Sequence, residues 1–159
     1  MTINANELLR GGTIRLNRGA SASLAEGTGD ATCKFAVAVD FAIDGILYHK
    51  AITDNIAMTA QTEQALATTC LYLVTLTTGA AVAVVKGVEV ANADLTSGKA
   101  VLRWPAPAVD TCPVGAIKVA CGTTAFQLGT GGDDLTDDIG TGTVTYYDLC
   151  LVPASPMTS

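Results

Sequence analysis

The sequence predicts an all-β fold: a single-domain antiparallel β-sandwich or jelly-roll-like barrel with an extended N-terminal arm and at most one short helix. Three observations predict it. About seven short runs rich in Val, Ile, Leu and Thr are punctuated by turn residues. Two of the junctions carry hairpin signals, Asp44-Gly45 and Thr77-Thr78-Gly79. The 159 residues, 49% hydrophobic and 15% charged, suit one sizeable core rather than two independent ones.

The elements follow in chain order. Residues 1–30 hold Arg10, Arg15, Arg18, a Gly11-Gly12 pair and few large apolar residues. That reads as an arm with one short strand at 13–16, which cannot build a core of its own. The chain therefore divides into an arm, 1–30, and a β-domain, 31–159. Lys34-Phe-Ala-Val-Ala-Val-Asp-Phe-Ala-Ile, then Asp44-Gly45, then Ile46-Leu-Tyr-His-Lys-Ala-Ile is the strongest hairpin signal, because Asp and Gly tolerate the positive φ of a type I′ turn. Behind Thr62, a potential cap, the helix formers of 59–69 predict one or two helical turns.

Cys70-Leu-Tyr-Leu-Val-Thr-Leu and Ala81-Val-Ala-Val-Val-Lys-Gly-Val-Glu-Val form a second hairpin, in which Gly87 signals a bulge. Residues 91–99 are a polar connection, and Arg103-Trp-Pro-Ala-Pro is held extended by its prolines. A short strand follows at 114–119. After a Gly/Asp-rich loop at 129–142, Thr143-Val-Thr-Tyr-Tyr-Asp-Leu-Cys-Leu-Val closes the domain.

Charge and hydropathy narrow the function classes. Nine Lys and Arg against fifteen Asp and Glu give a net charge of −6, which leaves no basic surface to neutralise phosphates, so neither nucleic acid nor an anionic membrane is an expected partner. The most apolar run, 79–85, is about seven residues, where a membrane-spanning helix needs roughly 20. Intrinsic disorder needs the reverse composition. The opening Met-Thr-Ile-Asn-Ala-Asn-Glu lacks the basic and apolar segments of a secretory signal, so synthesis in the cytoplasm is expected. A mean hydropathy of +0.39 with so few charges requires an exterior built largely of Ala, Thr and Gly.

Few residues suggest chemistry. Asp133, Asp134, Asp137 and Asp138 gather hard oxygen ligands in one loop and are the weak candidates for a metal such as Ca²⁺, though their spacing is not that of an EF-hand; turns and caps are the competing use. The five cysteines form no C-x-x-C pair and His49 has no ligand spacing to them, so the cysteines are expected to be reduced, buried and small, and no zinc site is expected. His49 has no G-x-S-x-G elbow or recognisable cysteine nucleophile to serve. Gly-Thr-Gly-Gly at 129–132 lacks the Lys and the βαβ context of a phosphate loop. Trp104, Tyr48, Tyr72, Tyr146 and Tyr147 would make a sugar-stacking platform only if several shared one exposed face. No catalytic residue and no cofactor are expected, and an enzyme is not the expected class.

The succession Phe41-Ala-Ile-Asp-Gly-Ile-Leu-Tyr-His-Lys-Ala, Thr53-Asp-Asn-Ile-Ala-Met-Thr-Ala, Thr69-Cys-Leu-Tyr-Leu-Val, Pro113-Val-Gly-Ala-Ile-Lys-Val and Tyr146-Tyr-Asp-Leu resembles small structural proteins of tailed bacteriophages, most of all head-decoration or cement proteins. The similarity covers roughly residues 34–153 and rests on packing and turn signatures without catalytic content. It implies a β-rich homotrimer on the capsid exterior that clamps neighbouring major capsid protein subunits. A low-charge surface suits a subunit buried in an assembly. The arm's Arg10, Arg15 and Arg18 are the candidate contacts to a neighbouring subunit or the capsid, where guanidinium groups pair with carboxylates. On that reading, removal of residues 2–30 leaves a folded core that no longer binds. The alternative is a head-fibre or tail accessory module that binds host-surface glycan through exposed aromatics.

Overall fold

The computed structural model describes residues 13–15, 24–29, 31–129, 135 and 139–149. Within them the protein is an antiparallel all-β structure with one short helix, α1 (Asn92–Thr96). Eleven strands among the described residues form three sheets. The first sheet holds β1 (Ile14–Arg15), β4 (Val39–Ile43) and β5 (Ile46–Lys50), in the order β1-β4-β5. The second holds β2 (Leu24–Glu26), β3 (Thr32–Phe35) and β6 (Thr53–Ala57), in the order β2-β3-β6. The third runs β11 (Thr143–Asp148), β10 (Thr111–Ala120), β7 (Thr68–Thr77), β8 (Val82–Lys86), and β9 (Val90–Ala91) also pairs with β7.

Both predicted hairpins form. Asp44 (φ 51°) and Gly45 (φ 79°) are both left-handed, as a two-residue type I′ turn requires, and Ile43 pairs directly with Ile46. In the second, the Thr77 amide donates to the Ala81 carbonyl and the Ala80 amide to the Thr77 carbonyl, and the left-handed residue is Ala80 (φ 54°) rather than Gly79. This is a three-residue loop, in which a turn is followed by one residue in the left-handed region. The bulge signalled by Gly87 is present: from Tyr72–Lys86 to Thr69–Val90, three steps along β7 are matched by four on the outer strand. A Cβ at Gly87 would lie 2.8 Å from the Leu71 carbonyl oxygen, so a side chain there would collide with the neighbouring backbone.

Two expectations need correction, and one strand was not foreseen. The apolar run 34–43 is not one strand: it breaks after Phe35, and its halves enter different sheets, β3 and β4, so both of its ends can cover the same core. Residues 53–57, to which the sequence reading assigned no element, are the strand β6, with Asn55 accommodated at φ 52°. Residues 59–69 form no helix. The Lys86 ammonium takes the carbonyls of Thr62 and Glu63, and Gln64 exchanges backbone hydrogen bonds with Phe126, which consumes the groups a helical turn needs. The helix falls instead within the connection 91–99, with Asp94 in its first turn where a negative charge suits the helix dipole.

One core serves all three sheets. Leu24, Phe35, Phe41, Tyr72, Ile117 and Phe126 are among its fully buried members, and Leu135 and Ile139 from the Gly/Asp-rich loop join it. Strand β7 is buried along nearly its whole length, since its two faces are both covered: Tyr72 and Val74 face the common core, while Leu71 and Leu73 face away from it. Pro105 comes within 3.5 Å of the Cβ position of Gly87 and Trp104 reaches the ring of Tyr147. Between those two points lie Leu73 and Ala116, in register with Tyr147, so the proline-extended segment roofs the second face of the sheet.

Candidate functional site

Of the arm's three arginines, Arg10 and Arg18 lie outside the described residues. Arg15 is spent inside the chain. Its side chain is wholly buried, and Nη1 donates at 2.9 Å to Asp148 Oδ1 and at 2.9 Å to the Val114 carbonyl. The sequence prepares this acceptor. Val114 sits at a bulge between the pairs Pro113–Thr75 and Gly115–Val74, so its carbonyl leaves the ladder and also accepts from the Leu149 amide. Asp148 Oδ1 accepts from the Leu24 amide as well, at 3.3 Å. One carboxylate and one guanidinium therefore join β1, β2, β10 and β11. Gly115 completes the arrangement: Leu24 packs into the space its missing side chain leaves.

Asp133, Asp134, Asp137 and Asp138 lie outside the described residues. Among the described residues, no group of three or more His, Cys, Asp or Glu is placed to hold a metal. Cys33, Cys70, Cys112 and Cys121 are buried free thiols, as the composition suggested, and Cys150 lies outside the described residues. Burial pushes the thiols of Cys33, Cys70 and Cys121 up to about 11, away from nucleophilic or metal-binding use.

His49 does have an orienting acid, which spacing alone did not single out. Strand register places Asp40 directly across from it, and Nδ1 lies 2.7 Å from Asp40 Oδ1, with both side chains about half exposed. The pair fixes the imidazole at the surface. The four described cysteines are buried, so none offers this imidazole an accessible thiol.

The five aromatics do not form one platform. Tyr72 is buried, with its hydroxyl donating to Gln64 Oε1 at 2.9 Å; Tyr48 stacks on Phe41 at 5.5 Å; Tyr146 packs against the core. Only Trp104 and Tyr147 meet outside it, edge to face at 6.1 Å, with Trp104 41% exposed.

Two polar clusters escaped the sequence reading. Gln64 is fully buried, and its amide donates to the Thr68 and Val119 carbonyls at 3.0 Å each while accepting from Tyr72. Lys86 donates to Glu89 Oε1 at 2.6 Å, and Glu89 Oε2 accepts from the Ala65 amide. Burial raises the Glu89 carboxyl, but the hydrogen bonds from Lys86 and Ala65 outweigh it and hold the group below the usual glutamate value. Local spacing could not have announced either cluster whole, because Gln64 reaches partners 4, 8 and 55 positions away and Glu89, three positions from Lys86, also binds Ala65, 24 positions away.

An open pocket of about 360 Å³ lies where the turn of the first hairpin meets the start of β10. It is lined by Thr13, Asp44, residues 107–111 and Pro113. Its walls are polar and apolar in about equal measure, the polar half coming from Thr13, Asp44, Asp110 and Thr111. No helix among the described residues is long and apolar enough to cross a membrane. Comparison with protein-family models, with curated proteins and with solved structures returned no match.

Proposed function

We propose that this chain is a structural virion protein of a tailed bacteriophage, a head-decoration or cement protein that binds the outer capsid surface as a homotrimer and stabilises the shell. The major capsid protein is its partner, and the protein is made in the host cytoplasm and resides on the capsid exterior. The observation that carries the reading is the character of the surface. Ile46, Leu47, Ile52, Val88, Val101 and Val109 are each more than half exposed on a chain only 15% charged. Such a surface is a liability for a dilute monomer and useful to a subunit covered by neighbours. The segment resemblance over residues 34–153 supplies the viral context.

The mechanism is mass action with multivalency. Many modest contacts, each made only with the assembled shell, lower the free energy of that shell relative to the burst one. No bond is made or broken. Because Arg15 is committed to Asp148, the capsid-contact role proposed for the arm falls to Arg10 and Arg18.

Quantitative mass spectrometry of purified virions tests the reading. About one copy per major capsid protein subunit supports lattice-covering decoration, and saturable binding to undecorated capsids supports it further. A few copies per particle would move the assignment to the second reading, a fibre or tail module that binds glycan. The feature that favours that alternative is the partly exposed Trp104 braced by Tyr147. Glycan-array binding lost on Trp104→Ala would establish it.

A further inference from the structure

Strand β5 is the outer edge of its sheet, and among the described residues no strand pairs with its free side. A two-residue hairpin closes on a hydrogen-bonded pair, here Ile43–Ile46, and hydrogen-bonded and non-bonded pairs alternate along an antiparallel ladder. Ile46, Tyr48 and Lys50 therefore turn their amides and carbonyls toward β4, and Leu47 and His49 turn theirs outward. The side chains add a second signal. Ile46 shares the core-facing side with Ile43 and Phe41, yet it is 60% exposed, whereas Tyr48 on the same side packs against the core; Leu47, on the other face, is 71% exposed. Edge strands usually carry charge, proline or a bulge on their free side; this one ends in Lys50, but its first two residues are bare, exposed aliphatic side chains.

We propose that β5 is an interaction surface for a second copy of this chain, pairing antiparallel with its own counterpart about a twofold axis through Leu47. The outward groups of Leu47 exchange hydrogen bonds with those of Leu47 in the second copy. In that register Ile46 meets Tyr48, which continues the core across the junction, and Lys50 is brought to the hairpin tip that carries Asp44. Charge complementarity selects this register: neither Asp44 nor Lys50 belongs to an ion pair among the described residues, and the twofold supplies each with the other, twice. An axis through Tyr48 instead sets Lys50 opposite Ile46 and leaves Asp44 without its partner. The inference does not depend on the capsid reading. On a lattice of trimers at threefold positions, such a self-complementary contact would lie between neighbouring trimers.

Cross-linking of the full chain in a Cys150→Ser background tests the contact. In the proposed register the Leu47 Cα atoms lie about 5.5 Å apart, within disulfide range. Under mild oxidation, Leu47→Cys is expected to form disulfide-linked dimer roughly tenfold or more faster than the exposed control Val101→Cys, because pairing raises the effective thiol concentration. A mixture of Asp44→Cys and Lys50→Cys is expected to yield the heterodimer over either homodimer. Sedimentation then reads the noncovalent contact: Leu47→Lys should weaken self-association roughly tenfold or more, since it sets two ammonium groups face to face. Cross-linking at Leu47 no faster than at Val101 overturns the proposal. So does an oligomer, trimers included, whose mass is unchanged by Leu47→Lys, or a chain that stays monomeric up to about 1 mM.

Discussion

Arg15 and Asp148, 133 positions apart, meet at 2.9 Å with the guanidinium wholly buried and the carboxylate 11% exposed. Removing one member of a buried pair leaves the other charge without compensation, a loss of about 3–5 kcal/mol. Arg15→Ala and Asp148→Ala are each expected to lower stability by about that much, and the double variant by clearly less than the sum. Arg15→Lys should recover only part, since the shorter side chain must carry its ammonium to the place from which Nη1 reaches both Asp148 and the Val114 carbonyl. Denaturant unfolding checks all four. Single-variant losses below about 1 kcal/mol would show the pair to be open to solvent.

The same pair revises what a truncation should do. Deleting residues 2–30 removes Arg15 and the buried Leu24, and so strips cover from Gly115 and Asp148. The expected outcome is a large fall in thermal midpoint rather than a folded core that has merely lost its partner. Calorimetry of the truncated chain decides.

Gln64 and Tyr72 form a buried polar plug in which every partner is internal. Gln64→Leu is expected to cost about 2–3 kcal/mol, because it strands the Tyr72 hydroxyl in the core and takes a donor from the Val119 carbonyl and from the Thr68 carbonyl, which keeps the Cys121 amide. Tyr72→Phe, which removes one hydroxyl and leaves only the Gln64 oxygen short, should cost about 1 kcal/mol. Equal costs for the two would contradict the geometry.

Glu89 ties the loop at Ala65 to the outer strand through Lys86. Its carboxyl is held below 4.5 in the folded chain, so its contribution is present above that pH and is lost as the pH falls through the depressed folded value. The difference in stability between the native chain and Glu89→Gln is therefore expected to be largest near neutrality and to shrink below about pH 4. Urea midpoints across that range provide the check, and a gap that persists at the acid end would assign the role of Glu89 to packing.

Burial raises the thiols of Cys33, Cys70 and Cys121 from 9.0 to about 11. A raised acid favours the folded state below its unfolded value, so their share of stability is complete below about pH 9 and is lost as the pH climbs toward 11. Native alkylation at pH 8 is expected to leave these three residues unmodified while the unfolded chain reacts fully. Peptide mapping reads each site separately, and rapid native labelling at Cys70 or Cys121 would reveal an opening that the packing does not show.

Much of the β-architecture could be read locally because its causes are local. Asp44-Gly45 specifies a left-handed pair at one place whatever surrounds it, and the run from Cys70 to Leu76 is too apolar to be anything but interior. The helix at 59–69 failed as an expectation for the opposite reason: helix formers there met Lys86, Glu89 and Phe126, partners from distant parts of the chain, before they could bond to each other.

By itself, then, the sequence determined a β-rich chain with two tight hairpins, a bulge at Gly87, reduced cysteines and a surface poor in charge. Alternation, turn chemistry and composition act over a few residues and need no fold to operate. Tertiary structure alone decided that residues 34–43 divide between two sheets, that Arg15 turns inward to Asp148 instead of outward, and that Asp40 orients His49. It also decided that the aliphatic side chains of β5 stand at a free edge. Each of these depends on which strands become neighbours, and that choice is made by burying one common core, which no local stretch of the chain contains.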